Sequence, residues 1–469
     1  MRHNDENPIP DSVKETEKYF KETFSTDINP DLITRSFLIG GETPALLVYM
    51  NGMADDVKIN EFILKPLLSF RAPADIKNIV TNGVRIAEVK RQTDLNKATA
   101  DIMDGVTALF VEGFSECVLL ETHGYEKRSI ASPENEKVVS GPKESFTESI
   151  RTNITLLRRQ LHIKDLIVEL KKTGENNIRL AIVYREGFTD PALVAEVKRR
   201  AAGASFSGIM SSGVMEQLIE DRRLSPFPQI LSTERPDRAC SHIMNGRVCV
   251  LVEGSPFALI MPVTLFTLLN SPEDIYMRQP LGTLLRIIRY IGILVSVLLP
   301  GYFLALSLYH QGLLSTEVLS TVIASRRMVF EPIGVEMLLL LFIFQMIREA
   351  GQRVPGNIGQ AIGIIGGLIM GQAAVAAHLA SSVVLIIVAA SGLGNFCIPD
   401  YRTQLAASYL RAAAVLAAWL GGLLGLTAVI ILTAAHAASL ESFGMPFLSP
   451  AAPRMKSKRN TVLRGSLGK

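Results

Sequence analysis

The stretch Val354-Pro355-Gly356-Asn357-Ile358-Gly359-Gln360-Ala361-Ile362-Gly363-Ile364-Ile365-Gly366-Gly367-Leu368-Ile369-Met370-Gly371 decides the class of this chain. Gly359, Gly363, Gly367 and Gly371 fall at every fourth position, and no Asp, Glu, Lys or Arg occurs from Val354 to Pro399. A four-residue spacing lines one helix face with glycine, so that neighbouring helices can approach at backbone distance. Each glycine inside a helix costs about 1 kcal/mol relative to alanine, so four in register call for a reason. Close helix packing in a membrane supplies one, either within one subunit or between identical subunits gathered around an axis. In the second arrangement Ile362, Ile365 and Ile369 are candidates for a hydrophobic constriction that gates by dewetting. Gln360 and Gln372 would then supply polar rings at its ends.

Outward from this stretch the chain divides in two. Up to about Arg289 charged and apolar residues mix as in a soluble protein, and beyond it long apolar runs dominate until Leu440. The expected organisation is a first subdomain over 1–125, a linker with a helix over 126–162, a second subdomain over 163–262, a membrane domain over 263–448 and a basic tail over 449–469. Spans of about 20 apolar residues are expected near 290–312, 357–376, 381–398 and 412–436, with a Pro300 kink in the first. The eleven apolar residues Met337 to Ile347, between charges, are expected to be re-entrant, with Glu336 as an ionisable pore or gate candidate. No secretory signal is read at the start, and the tail from Arg454 is basic without acid, so both ends are expected in the cytoplasm.

Two signatures recur in the soluble half. Val48-Tyr49-Met50-Asn51-Gly52-Met53-Ala54-Asp55 matches Val183-Tyr184-Arg185-Glu186-Gly187-Phe188-Thr189-Asp190 as V-Y-x-x-G-x-x-D. Later, Leu109-Phe110-Val111-Glu112-Gly113 corresponds to Val250-Leu251-Val252-Glu253-Gly254, each Glu-Gly reading as a hairpin turn between apolar runs. Between them lie helical patterns, Val57 to Leu68 and Asp75 to Glu88 in the first unit, Ala192 to Arg200 and Gly213 to Glu220 in the second. The fold class is therefore an α+β cytosolic region of two similar strand–strand–helices–hairpin units, followed by an all-α polytopic membrane domain. Arg151, Arg158 and Arg159 form a basic cluster that reads as a solvated face or a meeting place for anionic lipid.

The net charge of +3 gives no argument for nucleic acid. The sequence carries no phosphate-binding loop, zinc-protease motif, nucleophile elbow or dinucleotide turn, so no enzyme and no cofactor are implied. Cys117, Cys240, Cys249 and Cys397 have neither CxxC nor zinc spacing and read as reduced thiols. Glu349 and Arg411, beside or within apolar runs, join Glu336 as ionisable residues whose burial would be costly.

Arg348-Glu349-Ala350-Gly351-Gln352-Arg353-Val354-Pro355, followed by Ile358-Gly359 and Gly371-Gln372-Ala373-Ala374-Val375, resembles the A subunit of GerA-type bacterial spore germinant receptors. Glu144 to Ser149, Phe227 to Gln229 with Thr233 to Asp237, Gly254 to Leu259 and Gly444 to Pro450 carry the same resemblance, which covers nearly the whole chain. One position departs: Gln345 stands where the family usually has an acidic residue. The resemblance implies residence in the spore inner membrane, self-assembly, a transporter-like B subunit and a lipoprotein C subunit. It further implies nutrient-triggered cation release through a channel of A subunits. A membrane-anchored scaffold, the related subunit associated with the dipicolinate channel and, more distantly, a secondary transporter are the competing readings.

Overall fold

The structure, a computed structural model, describes residues 7–124, 132–136, 138, 140–174, 177–204, 208, 211–353, 367 and 369–453. They belong to two compact units: an α/β unit ending at Pro262, and a helical unit from Val263 onward that also takes in Arg222–Gln229.

The α/β unit contains two antiparallel five-stranded sheets of the same topology. The first is built from β1 (Leu32–Ile39), β2 (Thr43–Met50), β3 (Val89–Gln92), β4 (Thr107–Val111) and β5 (Cys117–Leu120), in the order β1-β2-β4-β5-β3. The second uses β6 (Leu166–Thr173), β7 (Ile178–Arg185), β8 (Leu231–Thr233), β9 (Val248–Val252) and β10 (Ala258–Met261), in the order β6-β7-β9-β10-β8. The repeated signatures do the same work in both. Gly52 and Gly187 hold φ of +82° and +70°, where a side chain is disfavoured. Asp55 and Asp190 then cap the helices that follow, accepting from the amides of Val57 and Ala192 at 2.9 Å. Gly113 and Gly254, at φ of +83° and +78°, turn the β4–β5 and β9–β10 hairpins.

Both faces of the first sheet are covered. Leu46, Val48 and Phe110 pack under α1 (Val13–Thr23) and α2 (Leu95–Met103), while Leu47, Leu109 and Val111 meet the helical stretches from Asp56 to Leu68 and Ile76 to Gly83. That double burial explains why β4 is buried throughout and, after Thr107, apolar instead of alternating. The expected helix over Asp75 to Glu88 stops at Gly83, and the chain then forms β3, an edge strand absent from the sequence reading.

Five helices dominate the helical unit: α7 (Gln279–Tyr309), α8 (Thr316–Arg326), α9 (Ile333–Arg353), α10 (Ser382–Phe396) and α11 (Tyr401–Ser439). Before them come α3 (Ile150–Gln160), α4 (Pro191–Gly203), α5 (Ser212–Ile219) and α6 (Pro236–Ile243) of the α/β unit. Two features of this half bear on the spans expected of it. Met337 to Ile347 is the middle of one continuous helix of 21 residues, about 32 Å long at ~1.5 Å per residue, and does not reverse. The run 412–436 is not one straight span, because α11 breaks at Gly422 (φ 57°, ψ −139°), a conformation essentially restricted to glycine. The break is held by Tyr309, whose hydroxyl donates to the Trp419 carbonyl at 2.8 Å and the Leu420 carbonyl at 3.3 Å. Those carbonyls lose their helical partners at the break, so the phenol replaces bonds that an apolar setting would leave unmade.

α7 and α11 are long and apolar enough to cross a membrane. Outward apolar residues such as Leu294, Leu393 and Leu424 are 59%, 67% and 82% exposed on the single chain, as expected of surfaces that face lipid or another subunit.

Candidate functional site

The residues singled out in the sequence gather around α9, α10 and the helical residues 369–376. Glu336, in the first turn of α9, is buried. One carboxylate oxygen accepts from the Ser381 amide at 2.6 Å and from its hydroxyl at 2.8 Å. The other takes the Arg326 Nε at 3.2 Å. Ser381 is the N-cap of α10, so the carboxylate sits where a helix terminus favours negative charge. Glu336 therefore ties the ends of α8, α9 and α10 together, and both of its oxygens are engaged.

Of the glycine ladder, Gly359 and Gly363 lie outside the described residues, as do Ile362, Ile365 and Gln360. Gly371 lies against α10, where a Cβ would stand 3.3 Å from a Leu385 methyl. At Gly367 a Cβ would meet nothing within 4 Å among the described residues. Ile369 is 61% exposed and Gln372 is also exposed. Gly367 and Gly371 are themselves half-buried.

Close helix packing is made elsewhere, by glycines that the sequence reading passed over. A Cβ on Gly292 of α7 would come 3.1 Å from the Gly394 carbonyl of α10, and one on Gly394 would collide with the Gly292 carbonyl. Gly301 similarly admits the Ala414 carbonyl of α11, with 2.9 Å to an added Cβ. Beside these crossings a polar chain runs through the bundle. Pro300 has no N–H, which frees the Ser296 carbonyl one turn back. Ser391 Oγ donates to that carbonyl at 2.7 Å and accepts from Arg411 Nη1 at 3.1 Å. Pro300 is thus accommodated inside α7 by a hydroxyl from α10. Arg348 Nη1 reaches the Asn395 carbonyl oxygen at 2.6 Å, with the amide oriented to satisfy its neighbours.

In the α/β unit the blocks that carry the family resemblance meet in space. Phe146 N donates to the Glu234 carbonyl at 2.8 Å, Arg235 Nη2 reaches the Pro142 carbonyl at 3.1 Å, and Gly254 N donates to the Glu148 carbonyl at 2.8 Å. In the helical unit Phe227 likewise packs on Phe447, with ring centroids 5.7 Å apart. The basic cluster on α3 is fully solvated only at Arg151. Arg158 is buried, donating to Asp31 at 3.1 Å and to the Leu166 carbonyl at 2.9 Å, and Arg159 pairs with Glu144 at 2.6 Å. Burial pushes the Asp31 carboxyl above its usual range, against the pull of the Arg158 guanidinium. Arg151 and Arg159 line a cleft of about 340 Å³ with Asp55, Asp56, Gly52 and Thr155, which gathers charge of both signs.

Some of this was legible. The run Ser391-Gly392-Leu393-Gly394-Asn395 is a cluster of small and polar residues inside an apolar stretch, a recognised signal of helix contact. Arg348 stands in the sequence only as the first residue of the family block, with nothing to indicate its burial. Among the described residues no three of His, Cys, Asp and Glu stand so as to hold a metal ion.

A profile of the Bacillus/Clostridium GerA spore germination protein family matches residues 18–469. The chain belongs to the GerA family. Spore germination protein A1 of Bacillus subtilis is 36% identical over 423 residues, covering 90% of this chain and 87% of that one. Spore germination protein KA of the same organism is 34% identical over 429 residues, covering 90% and 79%. The B. subtilis membrane protein YfkQ is 31% identical over 456 residues, covering 97% and 88%. The N-terminal domain of the A subunit of the Bacillus megaterium spore germinant receptor GerK3, in its crystal structure, is 27% identical with a TM-score of 0.42, covering 54% of this chain and 96% of that domain. Family membership and the two apolar helices together point to a spore germination protein associated with a membrane.

Proposed function

We propose that the chain is the A-type subunit of a nutrient-sensing germinant receptor in the spore inner membrane. Its helical half assembles with copies of itself and forms or gates a path for cations when a partner subunit binds germinant. The partners in this reading are a transporter-like B subunit and a lipoprotein C subunit. The carrying observation is the open space beside Gly367, where an added Cβ would meet nothing within 4 Å, on the segment that carries the glycine ladder. Ile362, Ile365 and Ile369 form the constriction in this reading, flanked by Gln360 and Gln372. Glu336 acts at the helix ends, where its pairing with Arg326 and Ser381 sets how α8, α9 and α10 meet. Partner binding opens the path only through a difference in affinity between open and closed arrangements.

Gly367→Leu separates assembly from folding, because no described neighbour opposes the added side chain within the chain. The variant is expected to keep the unfolding midpoint of the isolated subunit and to lose self-association and ion release from liposomes. Wild-type ion release in that variant, or silence of the reconstituted wild type with its partners, would favour the scaffold. An even number of crossings keeps both ends cytoplasmic, and four or six segments satisfy it once α9 and the halves of α11 are counted. A cysteine at Leu379 faces the cytosol with four crossings and the opposite side with six, so labelling by an impermeant reagent decides the count.

A further inference from the structure

We infer that the Arg348–Arg411 cluster of the helical unit binds one small inorganic anion with the charge and size of chloride. Both arginines are more than nine-tenths buried, at 8% and 2% exposure. Every described hydrogen bond they make is to a neutral group. Arg348 Nη1 reaches Asn395 at 2.6 Å, and Arg411 reaches Ser391 at 3.1 Å and Ser408 at 3.5 Å. Among the described residues neither forms an ion pair, and the buried carboxylates of this unit are committed elsewhere. Asp274 holds Arg286 and Arg289, Glu336 holds Arg326, and Asp400 caps α11 through Thr403. Glu349, next in sequence to Arg348, is exposed.

One further atom indicates that something is held here. Arg348 Nη2, a donor that an anion would accept from, is buried without a partner, and Gln345 lies one turn earlier on the same helix. A guanidinium stays charged in proteins, so it cannot escape burial by losing its proton as a lysine can. Two of them in an apolar bundle need a counter-charge close by. The depth of the cluster selects the source, since a lipid phosphate cannot reach groups this buried, whereas a monatomic anion can.

The test uses the full chain in lipid nanodiscs, with sodium chloride and sodium gluconate at equal ionic strength. Chloride is expected to raise the unfolding midpoint by about 4 °C at concentrations well above its dissociation constant. It is also expected to give a chloride magnetic-resonance line broadening that bromide competes away. Arg411→Gln is expected to abolish both effects. If that variant does not fold, Gln345→Glu serves instead: a carboxylate one turn from Arg348 replaces the anion, raises the midpoint in gluconate and lowers chloride affinity at least tenfold. Equal midpoints in the two salts without line broadening overturn the assignment, because the counter-charge would then come from another chain. Broadening that survives either substitution overturns it too, since the anion would be binding elsewhere.

Discussion

The two units of this chain use the same residue types for opposite purposes. In the α/β unit, Gly52, Gly113, Gly187 and Gly254 are there for positive φ, and the aspartates that follow cap the nearest helix through bonds two residues long. In the helical unit, Gly292, Gly301 and Gly394 are there for the missing Cβ, and polar groups find partners far along the chain. Ser391 serves a carbonyl 95 residues away, Glu336 a serine 45 residues away, and Tyr309 a carbonyl 110 residues away. Where water is at hand, short-range chemistry is enough to end a strand or start a helix. Where it is absent, every polar atom needs a partner supplied by another helix.

Substitutions can break that contrast. The largest loss is expected from Glu336→Ala, which removes the carboxylate partner of Arg326 and the acceptor of the buried Ser381 amide and hydroxyl. Removing one partner of a buried pair costs about 3–5 kcal/mol, read as a lowered unfolding midpoint of the purified chain. Gly394→Ala should follow at about 1–3 kcal/mol, since the new methyl meets the Gly292 backbone and neither helix can give way. The same change at Gly367 should leave the midpoint of the isolated chain unmoved, and a matching loss there would erase the distinction between inward and outward glycines. Asp55→Ala and Asp190→Ala should each cost about 1 kcal/mol, and clearly unequal costs would show that the matching turns are not equivalent in energy.

The smallest effect concerns acid. Arg199 and Arg200 on α4 hold the Glu196 carboxyl down at about 2, from an ordinary 4.5. A lowered value in the folded state means stability that is present above 4.5 and drains away as pH falls towards 2. Glu196→Gln should flatten that part of the acid limb, and an unchanged slope would show that the surface pairs contribute nothing there.

How much the sequence disclosed follows the same division. The V-Y-x-x-G-x-x-D pair located two turns and two helix starts, because a left-handed glycine and a capping aspartate are read by their immediate neighbours. It did not disclose β3 or β8, short edge strands whose pairing depends on β5 and β10. In the apolar half, hydropathy marked apolar runs but gave neither the helix α8 nor the geometry of the others. Nothing near Gly422 distinguishes a glycine that breaks α11 from Gly421 beside it, since the difference lies in Tyr309 on another helix. Charges flank Met337 to Ile347, yet Glu336 is paired with Arg326 and hydrogen-bonded by Ser381, so it lies buried within a continuous helix. Glu336 was singled out by its charge, whereas Arg348 was read only as part of a family block, and its partner Asn395 lies 47 residues further on.

The break in α11 has a mechanical consequence. Gly422 is a joint, and the phenol of Tyr309, at the very end of α7, is its pin. The freed carbonyls of Trp419 and Leu420 have that hydroxyl within reach, so the halves of α11 can straighten only as α7 lets go. A push on either half is therefore delivered to the foot of α7. Movement there is paired with movement in α11 by one hydroxyl, and phenylalanine at position 309 would leave the joint unpinned without changing its shape.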